Sequence, residues 1–403
     1  ASNWITINGL VNCSVDAGTS NTITVVRTGT NTILLEFDAG KSQNLGVMPI
    51  SSGGAKCETW FRGFRYPGGF QYTRRIGDTI TVVNYVDIED YVKGVLPYEM
   101  NNAWPFEALK AQACCARTYA LFSLGRHSSN SFDLCTTEHC QVYRGMGQAN
   151  ERTNRAAAET SGMYITYEGK LCETYYSSSN GGASENSENV WNEAKPYLRG
   201  VTDPYEADVA SKIPQYNWTV TYTPAQLTQR LQTRGYNCST IVSARVSKLT
   251  PTDNVYSVTL TDSAGKQITL SKRSQIITAL GVVSQRFDVG GTASTSDGIY
   301  AGNPPQLVEN GSPRYAINGS GAVSAIPSGK VYAITGSGNV EVVGGESVAD
   351  NGSGTVNGNF VFSGRGRGHN VGMSQWGAYS MAEYHGKNYL EIINFYFTGV
   401  DVG

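Results

Sequence analysis

Residues 86 to 120 constrain the fold most, because their pattern predicts two helices separated by a short turn. Pro105 stands at the predicted first position of the second helix, where its missing N–H costs least. Apolar and small side chains then recur at helical spacing, at Leu109, Ala113, Ala116 and Ala120. A narrow face of small residues lets neighbouring elements approach closely. We therefore expect the second helix to be buried in a mixed α+β core.

Glu99 falls in the predicted turn between these two helices. Pro97 and Met100 flank it, so the carboxyl has a rigid and partly apolar setting. Desolvation in such a setting raises a carboxyl pKa, as a general acid working near neutral pH requires. The alternative role is structural, with Glu99 capping the second helix or pairing with Lys93 or Arg117. Local residues leave both roles open.

Composition narrows the class of partner. The chain has 403 residues and a net charge of −2, which argues against nucleic acid or an anionic membrane as its main partner. Its 24 tyrosines and 46 glycines favour a polar, β-rich protein whose clefts could stack sugar rings on aromatic faces. The sequence has no apolar run long enough to span a membrane. A polysaccharide partner fits these features.

The first residue and the cysteines both favour an extracytoplasmic protein. The chain begins at Ala1 rather than Met, so we expect an export signal or anchor to have been removed, leaving a secreted or wall-associated protein. Eight cysteines are many for a cytosolic chain. Four of them lie in or beside predicted strands and could pair with unreadable connectivity: Cys13, Cys57, Cys172 and Cys238. Cys114 and Cys115 lie within the buried helix, and we expect them to pack in the core.

The predicted fold class is α+β, with a mixed core that carries two inserted modules. Residues 1–85 form a β-rich N-terminal module contiguous with the core, and residues 86–202 form the first part of the core. Residues 203–290 form an α+β insertion, and residues 291–360 form a Gly/Ser-rich β insertion. Residues 361–403 return to the core.

Caps and periodicity predict individual elements within these parts. The expected helices run from the cap Asn150 to near Gly162, over Pro224–Arg234, over Lys272–Leu280 and over Gln375–His385. The expected strands include Thr22–Arg27, Thr32–Phe37, Thr79–Val83, Met163–Tyr167, Leu171–Tyr176, Trp218–Tyr222, Ile241–Lys248 and Val255–Thr261. Glu168 and Gly169 should form the tight turn of one hairpin.

A compact set of metal-binding residue types follows the second helix. His127, Cys135, His139 and Cys140 supply two imidazoles and two thiols within 14 residues. That donor set matches a closed tetrahedral zinc site, which would be structural because it leaves no position for water. The alternative in an exported protein is a Cys135–Cys140 disulfide. A catalytic metal is a third possibility, and it would require that chelation abolish the chemistry while the fold survives.

Two glycine-rich loops carry hydroxyl, amide and imidazole groups suited to sugar binding. One contributes Ser177, Ser179 and Asn180, and the other contributes His369, Ser374 and Gln375. Flexible backbone would allow close approach of a polysaccharide. The alternative is that the glycines make turns and that His369 binds a core carbonyl. Glu185 and Glu188 are the nearest candidates for a second carboxylate, which ordinary glycoside hydrolysis would need.

Four blocks of this chain together resemble the SpoIID/LytB family, best known for stage II sporulation protein D lytic transglycosylases. The blocks are Tyr91–Ala120, Asp133–Gly145 with its Cys-Gln-Val-Tyr-Arg run, Tyr175–Tyr197, and Gly364–Ala378. They lie in order over roughly residues 60–290 and 360–400. The family pattern usually has glycine after the histidine of the last block, where this chain has Asn370. Asn tolerates the left-handed conformation, so the departure is mild.

The resemblance implies cleavage of the MurNAc–GlcNAc bond of peptide-stripped peptidoglycan strands, with 1,6-anhydroMurNAc as product. Glu99 would act as acid and then base, in a groove lined by residues 177–191 and 364–376. The substrate-binding residues would be Ser177, Ser179, Asn180, Tyr143, His369, Ser374 and Gln375. The resemblance also implies a SpoIIP-like amidase as partner and zinc in the cysteine–histidine loop of some members. A LytB-type amidase enhancer, which binds the wall and cuts nothing, is the competing expectation.

Overall fold

A computed structural model describes residues 58–75, 80–290 and 358–403, and beyond them the backbone of short strands between residues 3 and 49 and between 300 and 356. Helices and small sheets alternate along the chain, which confirms the mixed α+β class. The contacts divide the chain into two compact units. The first unit contains residues 1–176, 196–198 and 372–403, and the second contains residues 177–195 and 199–371.

The helices of the described residues match most of the predicted ones. In chain order they are α1 (Ile88–Glu99), α2 (Phe106–Phe122), α3 (Glu151–Glu159), α4 (Ser187–Val190), α5 (Pro224–Gln232), α6 (Lys272–Leu280), α7 (Gln375–His385) and α8 (Tyr389–Tyr396). Two 3₁₀ segments, Ser128–Asn130 and Tyr205–Lys212, accompany them. The bounds of α6 and α7 agree with the predictions, whereas α8 was not predicted.

In the first unit, a sheet leads directly into α1. Its order is Asn3–Ile7, Asn44–Pro49, Gly69–Arg74 and Ile80–Tyr85, parallel in the first pair and antiparallel after it. The other strands of this unit are Asn12–Ser14, Thr22–Val26, Leu34–Asp38, Glu58–Phe61, Phe64–Pro67, Ile165–Tyr167, Lys170–Leu171, Met373–Ser374 and Asp401–Val402. Tyr176–Ser177 is a further short strand at the boundary between the units.

Helix α2 forms the buried centre of the first unit, as its small residues predict. Every apolar residue from Ala108 to Ala120 is at most 5 % exposed, and Cys114 and Cys115 are fully buried. The prediction for Pro105 was wrong by one position, because Pro105 has extended backbone and serves as the N-cap rather than the first helical residue. Its missing N–H is harmless there too.

A buried arginine joins α2 to its neighbours. Arg117 is 0 % exposed and donates from Nε and Nη2 to the two carboxylate oxygens of Glu89 at 2.9 and 2.7 Å. Its Nη2 also donates to the carbonyl of Ala157 at 3.1 Å. Helices α1, α2 and α3 therefore meet at one guanidinium whose charge is paired and hydrogen-bonded.

The predicted hairpin after α3 is present but shorter than expected. Asn150 caps α3 in a reciprocal capping box with Thr153. Strands Ile165–Tyr167 and Lys170–Leu171 then pair across Glu168 and Gly169, both with positive φ. A two-residue hairpin turn of type I′ requires positive φ at both of its central residues.

The second unit has its own apolar core. Helices α5 and α6 pack with strands around buried residues such as Leu227, Leu260 and Phe362. The strands of this unit are Asn217–Tyr222, Ile241–Leu249, Val255–Asp262, Gln267–Ser271, Phe287–Val289, Tyr300–Ala301, Gln306–Leu307, Arg314–Ile317, Val323–Ile326, Val331–Ile334, Val340–Val343, Thr355–Val356 and Asn359–Arg365. Gln267–Ser271 was not predicted. It pairs antiparallel with Val255–Asp262, which in turn pairs with Ile241–Leu249.

Candidate functional site

Glu99 is the last residue of α1, so the prediction that it lies in a turn was wrong. The helix continues through Pro97, and the N–H of Met100 still bonds to the carbonyl of Leu96 at 3.0 Å. Proline in a helix is costly. Packing of the fully buried Val92, Val95 and Leu96 offsets that cost and carries the helix to Glu99.

The two cations that could have paired with Glu99 pair with other carboxylates. Arg117 pairs with Glu89, and Lys93 pairs with Asp90 at 3.0 Å. Within the described residues, no lysine or arginine pairs with Glu99, whose contacts are hydrogen bonds from neutral groups. The structural alternative of an ion pair is therefore wrong for this carboxyl.

Burial raises the pKa of Glu99 above the usual carboxyl value. Hydrogen bonds from the backbone of Val142 and from the Tyr176 hydroxyl oppose this effect, and the charge of Glu138 adds to it. The Val142 N–H lies 3.3 Å from Glu99 Oε1. A carboxyl that is desolvated, uncompensated by a cation and held by neutral donors can stay protonated nearer to neutral pH.

A chain of hydrogen bonds fixes the Tyr176 hydroxyl toward Glu99. The Tyr91 hydroxyl donates to Gln141 Oε1 at 3.2 Å, and Gln141 Nε2 donates to the Tyr176 oxygen at 3.0 Å. Gln141 Nε2 also donates to the carbonyl of Ala116 on α2 at 3.3 Å. Because Tyr176 accepts from Gln141, its own proton is available for Glu99.

The four predicted metal ligands lie together in the first unit. His127 Nε2 is 3.3 Å from Cys140 Sγ, and His139 Nδ1 is 3.7 Å from Cys135 Sγ and 3.6 Å from Cys140 Sγ. All four ligand atoms lie within 4.8 Å of one another. Zinc distances of about 2.0–2.3 Å on a tetrahedron place neighbouring ligand atoms about 3.3–3.8 Å apart. The three separations from 3.3 to 3.7 Å fall in this range, so the donor set suits a closed zinc site once the widest pair, up to 4.8 Å apart, draws closer.

The thiols of this loop are unlinked. Cys135 and Cys140 are free cysteines in the structure, so the alternative of a disulfide between them has no support here. Cys172 and Cys238, which could have paired, are also free. The side chain of Cys13 and all of Cys57 lie outside the described residues.

Tyr143 lies in the core rather than on an open surface. It is 3 % exposed, its ring centroid is 4.8 Å from that of Tyr91, and its hydroxyl donates to Asn84 Oδ1 at 2.9 Å. This ring supports α1 from the side that carries Gly94, where an added Cβ would meet it at 2.5 Å. The predicted contact of Tyr143 with substrate gains no support from this placement.

Ser374 and Gln375, also in the first unit, begin α7. The Ser374 hydroxyl caps the helix by accepting from the N–H of Gly377 at 3.1 Å. Gln375 Nε2 donates to Gln112 Oε1 on α2 at 3.3 Å. Both side chains are nearly buried and have structural partners, so their predicted role in substrate binding stays a prediction.

In the second unit, Ser179 and Asn180 are built into a buried polar network. The Ser179 hydroxyl donates to Glu206 Oε2 at 2.7 Å, and Asn180 Nδ2 donates to Asp203 Oδ2 at 2.8 Å. The N–H of Asn180 adds a bond of 2.6 Å to Glu206 Oε1. Ser177 is 9 % exposed. These groups shape the loop, and their predicted contact with sugar stays a prediction.

His369 and Asn370 lie on the neighbouring loop of the same unit. His369 Nδ1 accepts from the N–H of Val371 at 3.1 Å, and its ring is 5.4 Å from that of Trp191. Asn370 has a φ of 63° and donates to the carbonyl of Asn180 at 3.2 Å. The left-handed conformation expected at this substitution for glycine is confirmed.

Glu185 and Glu188 are both occupied as acceptors. Glu188 forms a bidentate ion pair with Arg199, at 2.8 and 2.6 Å. Glu185 is 1 % exposed and accepts hydrogen bonds from Thr250, Thr252 and Asn254 on one oxygen. Both carboxylates therefore have structural partners within the second unit, Arg199 for Glu188 and Thr250, Thr252 and Asn254 for Glu185.

Sequence reasoning missed Gln141 and Tyr176 as supports of Glu99. Their bond joins residues 35 positions apart, and no local pattern reports such a contact. The available signal was Gln141 itself, a polar residue between Cys140 and Val142 inside a block already singled out.

Comparison with known proteins identifies relatives of this chain. The family model SpoIID, described as stage II sporulation protein, matches residues 77–167, which include Glu99 and the four metal-ligand candidates. An uncharacterized protein of Brachyspira hyodysenteriae is 32 % identical over 342 residues, covering 84 % of this chain and 73 % of that protein.

Two named relatives are also similar. The amidase enhancer of Bacillus subtilis is 30 % identical over 311 residues, 76 % of this chain but only 39 % of that protein. Stage II sporulation protein D of Bacillus amyloliquefaciens is 26 % identical over 335 residues, 79 % of this chain and 75 % of that protein. With the motif blocks, the family-model match and these relatives in agreement, the chain belongs to the SpoIID/LytB family.

Proposed function

We propose that this chain is a peptidoglycan lytic transglycosylase that uses Glu99 as its single acid/base. The observation that carries the proposal is a desolvated carboxyl at the end of α1, held by neutral donors, with no paired cation among the described residues. Its family and the names of its relatives supply the cell-wall context.

One carboxyl suffices for this reaction because the substrate supplies the nucleophile. Protonated Glu99 gives its proton to the glycosidic oxygen, so the bond from MurNAc C1 breaks and GlcNAc leaves with a free 4-hydroxyl. The Glu99 carboxylate then takes the proton of the MurNAc 6-hydroxyl while that oxygen bonds to C1. The product is a 1,6-anhydro ring, no water is consumed, and Glu99 ends protonated.

The supports of Glu99 suit both halves of this cycle. A raised pKa keeps the acid form available for the first step, because burial disfavours the charge. The Val142 N–H and the Tyr176 hydroxyl then stabilise the carboxylate during the second step. Glu185 and Glu188, the candidates for a second carboxylate, are engaged elsewhere. These features favour transglycosylation over hydrolysis.

The metal-ligand cluster would hold zinc through His127, Cys135, His139 and Cys140. Bound zinc would supply structural cross-linking of this loop, since four protein ligands leave no open position. Gln141 and Val142 follow Cys140 directly and contact the partners of Glu99 or Glu99 itself. We infer that the cluster fixes the segment that orients the acid.

A non-catalytic amidase enhancer is the second candidate, favoured by the name of the Bacillus subtilis relative. Under either function we propose an extracytoplasmic site of action, peptidoglycan strands as ligand and a wall amidase as partner. The structure has no helix, within its described residues, that is long and apolar enough to cross a membrane. The two functions differ in whether the chain itself breaks a glycosidic bond.

Digestion of peptide-free glycan strands in ¹⁸O-labelled water tests the proposed reaction. A lytic transglycosylase gives new 1,6-anhydro ends with no ¹⁸O, since the oxygen that bonds to C1 comes from the substrate. Labelled reducing ends would mean hydrolysis, and no cleavage would favour the enhancer. In that case a Glu99→Gln chain should stimulate a wall amidase as well as the wild type does.

A further inference from the structure

Arg144 is an exposed cation held between two aromatic rings. Its guanidinium carbon lies 5.9 Å from the ring centroid of Phe64 and 5.9 Å from that of Tyr98. These distances fall within the range of cation–π attraction. No carboxylate among the described residues pairs with it, in contrast to Arg117 and Arg65, which are bound to glutamates.

The backbone that carries Arg144 is tightly placed. The N–H of Met146 donates to the carbonyl of Arg65 at 2.7 Å, and a Cβ added at Gly145 would lie 2.0 Å from that carbonyl oxygen. On the other side, a Cβ added at Gly94 of α1 would meet the Gly145 carbonyl at 2.8 Å. The guanidinium therefore extends from a segment fixed between α1 and the hairpin that contains Phe64.

Arg144 and Glu99 belong to the same short stretch of surface. Tyr98, which contacts the guanidinium, precedes Glu99, and Val142, which donates to Glu99, precedes Arg144 by two residues. Two residues of chain span at most about 7 Å. The Cα atom of Arg144 therefore lies within about 10 Å of Glu99 Oε1, so the arginine side chain starts in the neighbourhood of the proposed acid.

Muramic acid carries one feature that distinguishes it from N-acetylglucosamine, a lactyl ether on C3. Once the stem peptide has been removed, this group ends in a free carboxylate close to C1, where the bond breaks. Arginine binds a carboxylate through two parallel N–H bonds, and an unpaired guanidinium offers them without first breaking an ion pair.

We propose that Arg144 binds the free lactyl carboxylate of the muramic acid residue whose bond is cut, and so selects peptide-stripped strands. This inference rests on the proposed function, since it names a specificity residue of the same site. Peptide-bearing strands hold an amide in place of the carboxylate, so they lose the charge-assisted bonds.

The test compares two substrates and four proteins, each with the whole 403-residue chain. The substrates are peptide-free strands and the same strands with their lactyl carboxylates converted to methylamides. The proteins are wild type, Arg144→Gln, Arg144→Lys and the control Lys170→Gln. The control removes one positive charge from the exposed Lys170, which lies in a hairpin strand of the same unit.

Wild type should lose roughly tenfold or more in kcat/KM on the methylamide strands, the cost of charge-assisted hydrogen bonds. Arg144→Gln should lose a similar factor on the free strands and show no further loss on methylamides, whereas Lys170→Gln should behave as wild type. The kcat/KM of Arg144→Lys on the free strands should lie between those of wild type and Arg144→Gln, because lysine keeps the charge without the bidentate geometry. Equal sensitivity to amidation in wild type and Arg144→Gln would overturn the inference.

A failure of the proposed function is distinguishable from a failure of this inference. If wild type cuts neither substrate, the proposed reaction is wrong, and equilibrium binding of the two strands to wild type and Arg144→Gln becomes the measurement. A preference of roughly tenfold for carboxylate strands that disappears in Arg144→Gln supports the inference. Equal affinities for both strands in wild type contradict it.

Discussion

The N–H of Val142 donates to Glu99 Oε1 at 3.3 Å, and Val142 stands two residues after Cys140, one of the four metal-ligand candidates. The segment that joins the two features is therefore only Gln141, which itself bonds to Tyr176. A change in the cysteine–histidine loop should consequently reach the proposed acid without any direct contact between them.

Glu99→Gln should stabilise the fold increasingly as the pH rises. Burial raises the pKa of Glu99 in the folded chain above its unfolded value, so its contribution to stability is present below the unfolded pKa and is lost as pH rises through the folded pKa. Gln has no such loss. The unfolding midpoint of Glu99→Gln, relative to wild type, should therefore be higher at pH 7 than at about pH 4. A difference in unfolding midpoint between Glu99→Gln and wild type that shrinks as the pH rises would contradict the raised pKa. Glu151→Gln, at an exposed position, serves as control.

Tyr176→Phe should change the pH dependence of cleavage as well as its rate. The lost hydroxyl no longer stabilises the Glu99 carboxylate, so the pKa of Glu99 rises further and the alkaline limb of the rate profile moves to higher pH. A net hydrogen bond is worth about 1 kcal/mol, so the rate should fall roughly fivefold. Tyr143→Phe removes a hydroxyl that donates to Asn84 and should leave the limb in place. If the alkaline limb of the Tyr176→Phe rate profile stays at the wild-type pH, the Tyr176 hydroxyl does not stabilise the Glu99 carboxylate.

The purified chain should contain about one equivalent of zinc, measured by elemental analysis. Cys140→Ser should lose it, lower the unfolding midpoint by roughly 5 °C or more and reduce cleavage, because Gln141 and Val142 lose their anchor. The control Cys238→Ser changes a free thiol of the second unit and should keep the metal. Full zinc content in Cys140→Ser would show that the cluster is not the site.

Glu89→Gln should lower the free energy of unfolding by about 3–5 kcal/mol, because it leaves the fully buried Arg117 guanidinium without its countercharge. Arg155→Gln breaks an exposed ion pair with Glu159 and a cation–π contact with Phe106, and should cost about 1 kcal/mol or less. Chemical denaturation of both variants gives the comparison. Similar small losses would mean that Arg117 finds enough compensation in its carbonyl partners.

Local signals in the sequence were sufficient for many elements. The small-residue face of α2, the cap Asn150 of α3 and the Glu168-Gly169 turn each have a short-range physical cause, and all three are present. Helix α8 was missed although Asn388 and Glu391 form a capping box that the sequence displays.

Other features depend on contacts that no local pattern reports. The proline at position 97 favoured a turn, but packing of its buried neighbours extends α1 to Glu99. Glu185 has the residue type of a candidate base, but its partners Thr250 and Asn254 lie more than 60 residues away in sequence. The sequence predicts the four metal-ligand candidates because they stand within 14 residues of one another. It does not predict Tyr176, which lies far along the chain from Glu99. Sequence distance thus separates the predictable from the unpredictable part of this site.

The most direct test of the central claim is mass spectrometry of peptide-free glycan strands after incubation with wild type, Glu99→Gln and the control Glu151→Gln. We expect new 1,6-anhydro-muramic acid ends from wild type and Glu151→Gln, and none from Glu99→Gln. Anhydro ends formed at the wild-type rate by Glu99→Gln would contradict the role of Glu99 as acid/base.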